Sequence, residues 1–347
     1  MEQTLQFGRL VQCLVERGCF ARRPFTLIDA GCSGGIAGFW RRFEPSLRAV
    51  GIDPVGAECD RLAAAETNSA VSYTRAFVGL PPDHPFVAAR GQRPPTERNP
   101  WPRLSAPAGA DILRERTQAN QALPLLNDWD RASLPADPTP RTIDSIVDAA
   151  GFSEVDFIKI DIDGYDLDAL LSAERTIKSS PVLGLALEVN FYGSASPMDH
   201  TFHNTDRLMR EWGFELFDLS VRRYSTAALP QPYQWNIPAQ TVRGRPFQGD
   251  AIYLRDPCSW DAVPETAVPL DAIKLLKLSC LFSLFGLPDH AAELLRDHSA
   301  SLADVAAAEP LLHLLANEVK PSLNSYHEYL RQFREDPTSF YPDRWVP

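Results

Sequence analysis

The sequence predicts an α/β fold in which a mostly parallel sheet is flanked by helices and followed by a helical region. Three observations predict it. From residue 25 onward, short apolar runs alternate with helical patterns, the mark of βαβ units. The first of these runs closes on a glycine-rich turn. From about residue 268 the pattern is purely helical.

Composition narrows the function classes. The chain has 347 residues, 44% hydrophobic and 23% charged, which is globular composition with ample material for a core. Lys and Arg number 34 against 45 Asp and Glu, for a net charge of -11. Duplex nucleic acid needs a neutralising basic face, so it is a poor partner here. A local pocket can still oppose the overall charge and take a small anion. Six cysteines without a C-x-x-C pair fit a reducing compartment better than a zinc ribbon or a disulfide scaffold. No run approaches the ~20 apolar residues of a membrane span. The first twenty residues carry Glu2 and no unbroken apolar core, unlike a secretory signal. A soluble, cytoplasmic protein is expected.

Each element follows from local pattern. Leu5, Leu10, Val11 and Leu14 give residues 3–19 a helical spacing. FTLIDAG (25–31) reads as a buried strand, and GGIAGFWRRF after it can start a helix. AVGIDP (49–54), the helix VGAECDRLAAAE (55–66) and the strand VSYTRAFVG (71–79) continue the alternation. Residues 80–140 interrupt it with twelve of the 30 prolines and six arginines between 90 and 116, so they read as an insertion, with a helix near 110–121. Alternation resumes with a helix opening at Thr139 or Thr142, the strand VDFIKIDID (155–163), the helix YDLDALLSAERTI and the strand VLGLALEV (182–189). A helix over about 199–212 stops at Gly213. FELFDLSVRRY (214–224) and DAIYLRD (250–256) alternate as an antiparallel hairpin at a sheet edge would. The apolar stretch Leu275–Leu287 reads as a core helix, with docking to a membrane or partner as the other reading.

The sharpest motif is Asp29-Ala-Gly31-Cys-Ser33-Gly34-Gly35 at the end of the first strand. Glycines there let backbone approach a ligand, and a following helix would offer free N–H groups. Twenty-four residues later the second strand ends in Asp53, placed to accept from a ribose diol. A dinucleotide fingerprint G-x-G-x-x-G fails twice, because Ser33 and Ile36 stand where its second and third glycines belong. The alternative, D-x-G-x-x-G-G, suits S-adenosylmethionine, which has an ammonium and a sulfonium for an acid such as Asp29 to face. A third reading is a glycine turn of purely structural meaning. The favoured cofactor set is Asp29, Gly31, Ser33, Gly35, Asp53 and Asp161.

A second constellation is Lys159-Ile-Asp161-Ile-Asp163-Gly-Tyr-Asp166. Period-two alternation puts Lys159, Asp161 and Asp163 on one face at the strand's carboxyl end, where open α/β sheets bind ligands. The structural alternative has Asp163 capping the next helix and Asp161 paired with Lys159. Asp166 and Asp168 are expected on a helical first turn facing solvent.

TLIDAGCSGG, VGIDP and above all RTIDSIVDAAGFSEVDFIKIDIDGYDLDALL resemble the FkbM-type S-adenosylmethionine-dependent methyltransferases, with their I-D-x-G-x-x-x-G turn and D-F-[IL]-K-I-D-[VI]-[ED]-G-x-[ED] block. The resemblance spans roughly 25–255 without the insertion. Asp163 and Asp166 stand where that family commonly has glutamates, and residues 80–140 exceed its minimal domain. It implies a class-I methyltransferase Rossmann-like sheet, mostly parallel with an antiparallel edge strand. The chain then divides into an N-terminal helix (1–24), a methyltransferase domain (25–256) and a C-terminal helical region (257–347). It also implies O-methylation, commonly of sugars and natural products, with C-terminally extended members serving surface-polysaccharide pathways.

Methyl transfer to a hydroxyl needs in-line approach and a base. The candidate catalytic residues are Asp161, Glu188, which ends an otherwise apolar strand, and His203 in the MDHTFHN loop. Asp163, His200, Trp101 and Trp235 are the candidate substrate contacts, the indoles by stacking on a sugar ring. Asp161, Asp163, Glu188, His200 and His203 could also hold a divalent ion. No local motif forces them together, so a metal-free mechanism is expected. The expected function is O-methylation of a sugar hydroxyl in a surface polysaccharide or glycan precursor. Rival readings are O- or N-methylation of a small non-sugar metabolite, or a non-catalytic methyltransferase-like interaction protein. Peripheral membrane contact matters if the acceptor is lipid-linked.

Overall fold

The computed structural model describes residues 8–90, 139–162, 166–193, 195–224, 243–259, 269–323 and 325–340. The helix expected near 110–121 lies outside them. The strands are β1 (Phe25–Ala30), β2 (Leu47–Asp53), β3 (Val71–Arg75), β4 (Phe157–Ile160), β5 (Gly184–Asn190), β6 (Glu215–Tyr224) and β7 (Arg245–Leu254). They form one sheet in the order β3-β2-β1-β4-β5-β7-β6. Strands β1 to β5 pair in parallel, and β7 runs antiparallel to both β5 and β6. Five strands paired in parallel with one reversed strand fit the mostly parallel sheet that the resemblance implies. The two last strands do pair antiparallel, as their alternation predicts. The reversed strand stands one place in from the edge, because β7 inserts between β5 and β6. Strand β1 is buried throughout, which explains its unbroken apolar run.

The helices are α1 (Arg9–Glu16), α2 (Gly56–Ala65), α3 (Pro85–Arg90), α4 (Ile143–Ala149), α5 (Asp166–Leu171), α6 (Glu174–Ser179) and α7 (Phe202–Glu211). In the C-terminal region they are α8 (Ala272–Leu284), α9 (Pro288–Asp297), α10 (Ser299–Leu302), α11 (Ala308–Val319) and α12 (Tyr326–Glu335). Thr142 is the N-cap of α4, its hydroxyl accepting from Ser145 N at 3.1 Å. The single helix expected over 165–177 is two. The break comes at Ser172, whose Oγ bonds Ala169 O at 2.7 Å and accepts from Ile143 N at 3.0 Å. Asp144 then restarts the chain by accepting from Thr176 N at 2.9 Å.

GGIAGFWRRF does not start a full helix. It passes into one 3₁₀ turn at Trp40–Phe43. A β1–β2 crossover this short leaves sheet face uncovered, and the C-terminal region covers it. Phe25 stacks on Phe43 at 4.0 Å, and Trp40 packs on Phe157 at 4.7 Å. Phe285, just beyond α8, closes over Phe157 at 5.7 Å. One continuous core therefore takes residues from α1, this sheet face, α8, α9 and α11. Lys274 to Leu284 are all buried, as the core-helix reading of this stretch expects. The opposite face is covered by α4 to α7 through Ile146, Leu170, Ile177 and Met209.

A buried ion cluster ties α8 to the sheet. Asp156, fully buried ahead of β4, meets Lys274 Nζ at 2.6 Å and Lys277 Nζ at 2.7 Å. It also accepts from Thr26 N at 2.7 Å. The two ammonium groups outweigh burial and hold the Asp156 carboxyl below its usual range. Burial pulls the Lys277 ammonium down despite Asp156. Among the described residues, no helix is long and apolar enough to cross a membrane.

Candidate functional site

The strand order reverses between β1 and β4, and the carboxyl ends of these neighbours carry the first half of the site. In register, Asp29 lies beside Lys159. Lys159 Nζ donates to Gly31 O at 2.7 Å and stands 3.2 Å from Asp29 Oδ1 and 3.6 Å from Asp161 Oδ2. Burial works against this ammonium, but the two carboxylates outweigh it and its pKa rises. Asp29 is 3% exposed, with the Lys159 ammonium as the ion-pair partner of Oδ1. Burial pushes its carboxyl up to about 6 despite Lys159. Asp161 is the open one of the pair, with its side chain 48% exposed.

The glycine turn is pressed against β4. A Cβ on Gly31, whose φ is +83°, would lie 1.8 Å from the Asp161 carbonyl oxygen, so only glycine fits. Gly31 N and Cys32 N both donate to Ile52 O, which lashes the turn to the end of β2. Asp53 is thereby placed next to it, 5% exposed, with Oδ1 accepting from Val55 N at 2.8 Å to open α2. No helix starts at the turn, contrary to expectation. Gly34 N instead donates to Glu58 Oε1 at 3.0 Å, while Ser33 lies exposed and Gly35 keeps φ at +93°.

The second half lies on β5, β6 and β7. Glu188 is 4% exposed and directly opposite Asp250. Two carboxylates so placed repel, and Arg222 relieves this by bonding both, at 2.9 Å to Glu188 and by a short contact to Asp250. Burial raises the Asp250 carboxyl, Arg222 opposes the rise, and the Asp161 carboxylate adds to it. Tyr192 stacks on Phe247 at 4.6 Å, and its hydroxyl is pushed up to about 12 by burial, with Glu188 and Asp166 contributing.

The remaining candidates scatter. His200 uses both ring nitrogens, Nδ1 with Asn190 Nδ2 at 3.0 Å and Nε2 with Glu188 O at 3.1 Å. With the Asn190 amide donating, Nε2 carries the proton and donates to that carbonyl. His203 is exposed on the first turn of α7, its Nδ1 3.0 Å from Thr201 Oγ1. Asp163, Trp101 and Trp235 lie outside the described residues. Asp166 and Asp168 do not face solvent. Asp166, 2% exposed, accepts from Ile162 N at 3.0 Å, and Asp168, 4% exposed, takes a two-pronged bond from Arg90 at 2.6 and 2.9 Å. Sequence reasoning missed Arg222, Asp250 and Asn190, whose Oδ1 is buried without a partner. Only the β5–β7 register could have brought Asp250 to Glu188.

The strand edge gathers Asp29, Asp161, Glu188 and Asp250 against Lys159 and Arg222, an acidic surround suited to a cationic ligand. Asp29, buried beside an obligate glycine turn and ion-paired to Lys159, marks the acidic inner end of this edge.

Residues 113–216 match the family model of the methyltransferase FkbM domain. Three solved structures with a similar course share 10–12% of their residues with this chain. A TehB-like SAM-dependent methyltransferase from Corynebacterium glutamicum is 12% identical, over 71% of this chain and 87% of its own, with a TM-score of 0.28. Magnesium protoporphyrin IX methyltransferase from Synechocystis, solved with bound SAM, is 10% identical over 73% and 79%, at 0.30. A Haloferax volcanii methyltransferase in complex with the Trm112 activator is 12% identical over 70% and 88%, at 0.31. No curated protein matches the chain.

Proposed function

We propose that this S-adenosylmethionine-dependent methyltransferase transfers its methyl group to a hydroxyl, on a sugar of a surface polysaccharide or glycan precursor. The observation that carries the cofactor side is the acidic strand edge, with Asp29 buried beside a turn that only glycine fits. A dinucleotide would bring an anionic pyrophosphate to the same carboxylates and be repelled. The match of residues 113–216 to the FkbM domain supports the methyltransferase reading, and the resemblance of the β1 turn and β4 block supports a sugar acceptor.

When bound, the cofactor supplies an electrophilic methyl on a sulfonium. Asp29 would hold its ammonium, the Gly31–Gly35 turn would give its backbone room, and Asp53 would hold the ribose diol. A hydroxyl acceptor taking that methyl would have a proton to lose. Asp161 takes that proton. It is half-exposed and lies clear of Arg222, which holds both Glu188 and Asp250, while the His203 ring meets Thr201. Glu188, Arg222 and Asp250 then form a fixed polar wall on the acceptor side. Calorimetry with S-adenosylhomocysteine should show saturable heat, and NAD none; the reverse preference would sink the cofactor assignment. Mass spectrometry of surface glycans from cells with and without the protein should show methylated sugars only with it. Unchanged glycans would redirect the acceptor to a small metabolite.

A further inference from the structure

The C-terminal helices carry a group of residues that the methyl-transfer site does not use. Glu309 and His313 are four apart on α11, so their side chains share one stripe of that helix, beside the buried Leu311, Leu312 and Leu315. His327 is the second residue of α12, whose start is fixed by Ser325 accepting from Glu328 N at 3.1 Å. Glu309 Oε1 lies 2.9 Å from His313 Nε2 and 3.2 Å from His327 Nδ1. One ligand atom from each residue lies within 4.8 Å of the others, and this is the one such trio among the described residues.

These separations have a chemical meaning. Tetrahedral bonds of 2.0–2.1 Å to nitrogen and oxygen place neighbouring ligand atoms about 3.3 Å apart. The two measured edges already approach that value. His313 Nε2 is itself out of contact with solvent, turned inward toward Glu309 Oε1.

We propose that Glu309, His313 and His327 form a binding site for a divalent ion of the zinc class, clasping the start of α12 to α11. Two imidazoles and one carboxylate suit zinc, whereas magnesium and calcium demand oxygen ligands. Three protein ligands leave one position of the tetrahedron to water. The lobe that covers the sheet would then be stabilised by metal at a place separate from the strand-end carboxylates.

The test uses the full-length chain after chelator treatment. Titration with zinc chloride should show one equivalent bound, with magnesium chloride silent. At free zinc 100 times the dissociation constant, the folding equilibrium should shift about 100-fold, or about 2.7 kcal/mol, read as a rise in melting temperature. His313→Gln with His327→Gln should lose that equivalent and the rise. His327 is 80% exposed, so its single substitution leaves folding intact and should weaken zinc binding at least tenfold. Zinc bound equally by wild type and the double variant would place the metal elsewhere, and no zinc bound by wild type would overturn the proposal.

Discussion

Asp29 is the residue where burial and function meet. Its carboxyl, pushed up to about 6, is partly protonated just below neutrality, and a cofactor ammonium prefers it ionised. S-adenosylhomocysteine affinity should therefore rise from pH 5 to 7 in the wild type and stay flat in Asp29→Asn, as calorimetry across pH would read. Stability moves the opposite way. A folded pKa above the unfolded value gives a contribution that is full below about 4 and lost as pH rises through about 6. Unliganded Asp29→Asn should then be more stable than wild type at pH 7, by at most about 3 kcal/mol. For Asp161, the Asn variant should lose about 10²- to 10⁴-fold in turnover while cofactor affinity changes little. A proportionate loss of cofactor binding would recast Asp161 as a binding group and not a base.

Among the elements, α8 is held by charge as well as by packing. Asp156 between Lys274 and Lys277 is fully buried, and removing one partner leaves uncompensated charge in the core. Asp156→Asn or Lys277→Met should cost about 3–5 kcal/mol in denaturant unfolding. The wild-type contribution exists above the unfolded carboxylate pKa and is lost as pH falls through the lowered folded one, so it should fade only in acid. A loss below about 1 kcal/mol would show the cluster relaxing into solvent.

At the scale of the molecule, the short β1–β2 connection and the C-terminal helices are two sides of one fact. A crossover with one 3₁₀ turn cannot cover the sheet, and α8, with Phe285 after it, does so instead. A chain ending at residue 258 should lose its compact fold, with exposed Phe25, Trp40 and Phe157 driving aggregation. Size-exclusion chromatography would show it. A monomeric, cofactor-binding truncation would mean the sheet closes without this region.

Much of this protein follows from sequence alone. Period and punctuation place all seven strands, because buried parallel strands are short apolar runs and their glycine stops are local. The β1 turn is equally local: Asp29, Gly31 and Asp53 stand at strand ends whatever surrounds them. Other features depend on contacts distant in sequence. Asp166 and Asp168 look like solvent-facing acids until Arg90 and the Ile162 amide are folded against them. Glu188 looks like a lone base until β7 inserts beside β5 and brings Asp250, with Arg222 from β6. The Glu309–His313 spacing is visible in α11, but His327 joins it only through the turn between two helices. Local pattern sets where a backbone is helix or strand, since those bonds close within a few residues. Which charges become partners, and which carboxyls are buried, depends on strand order and helix docking, which no local period encodes.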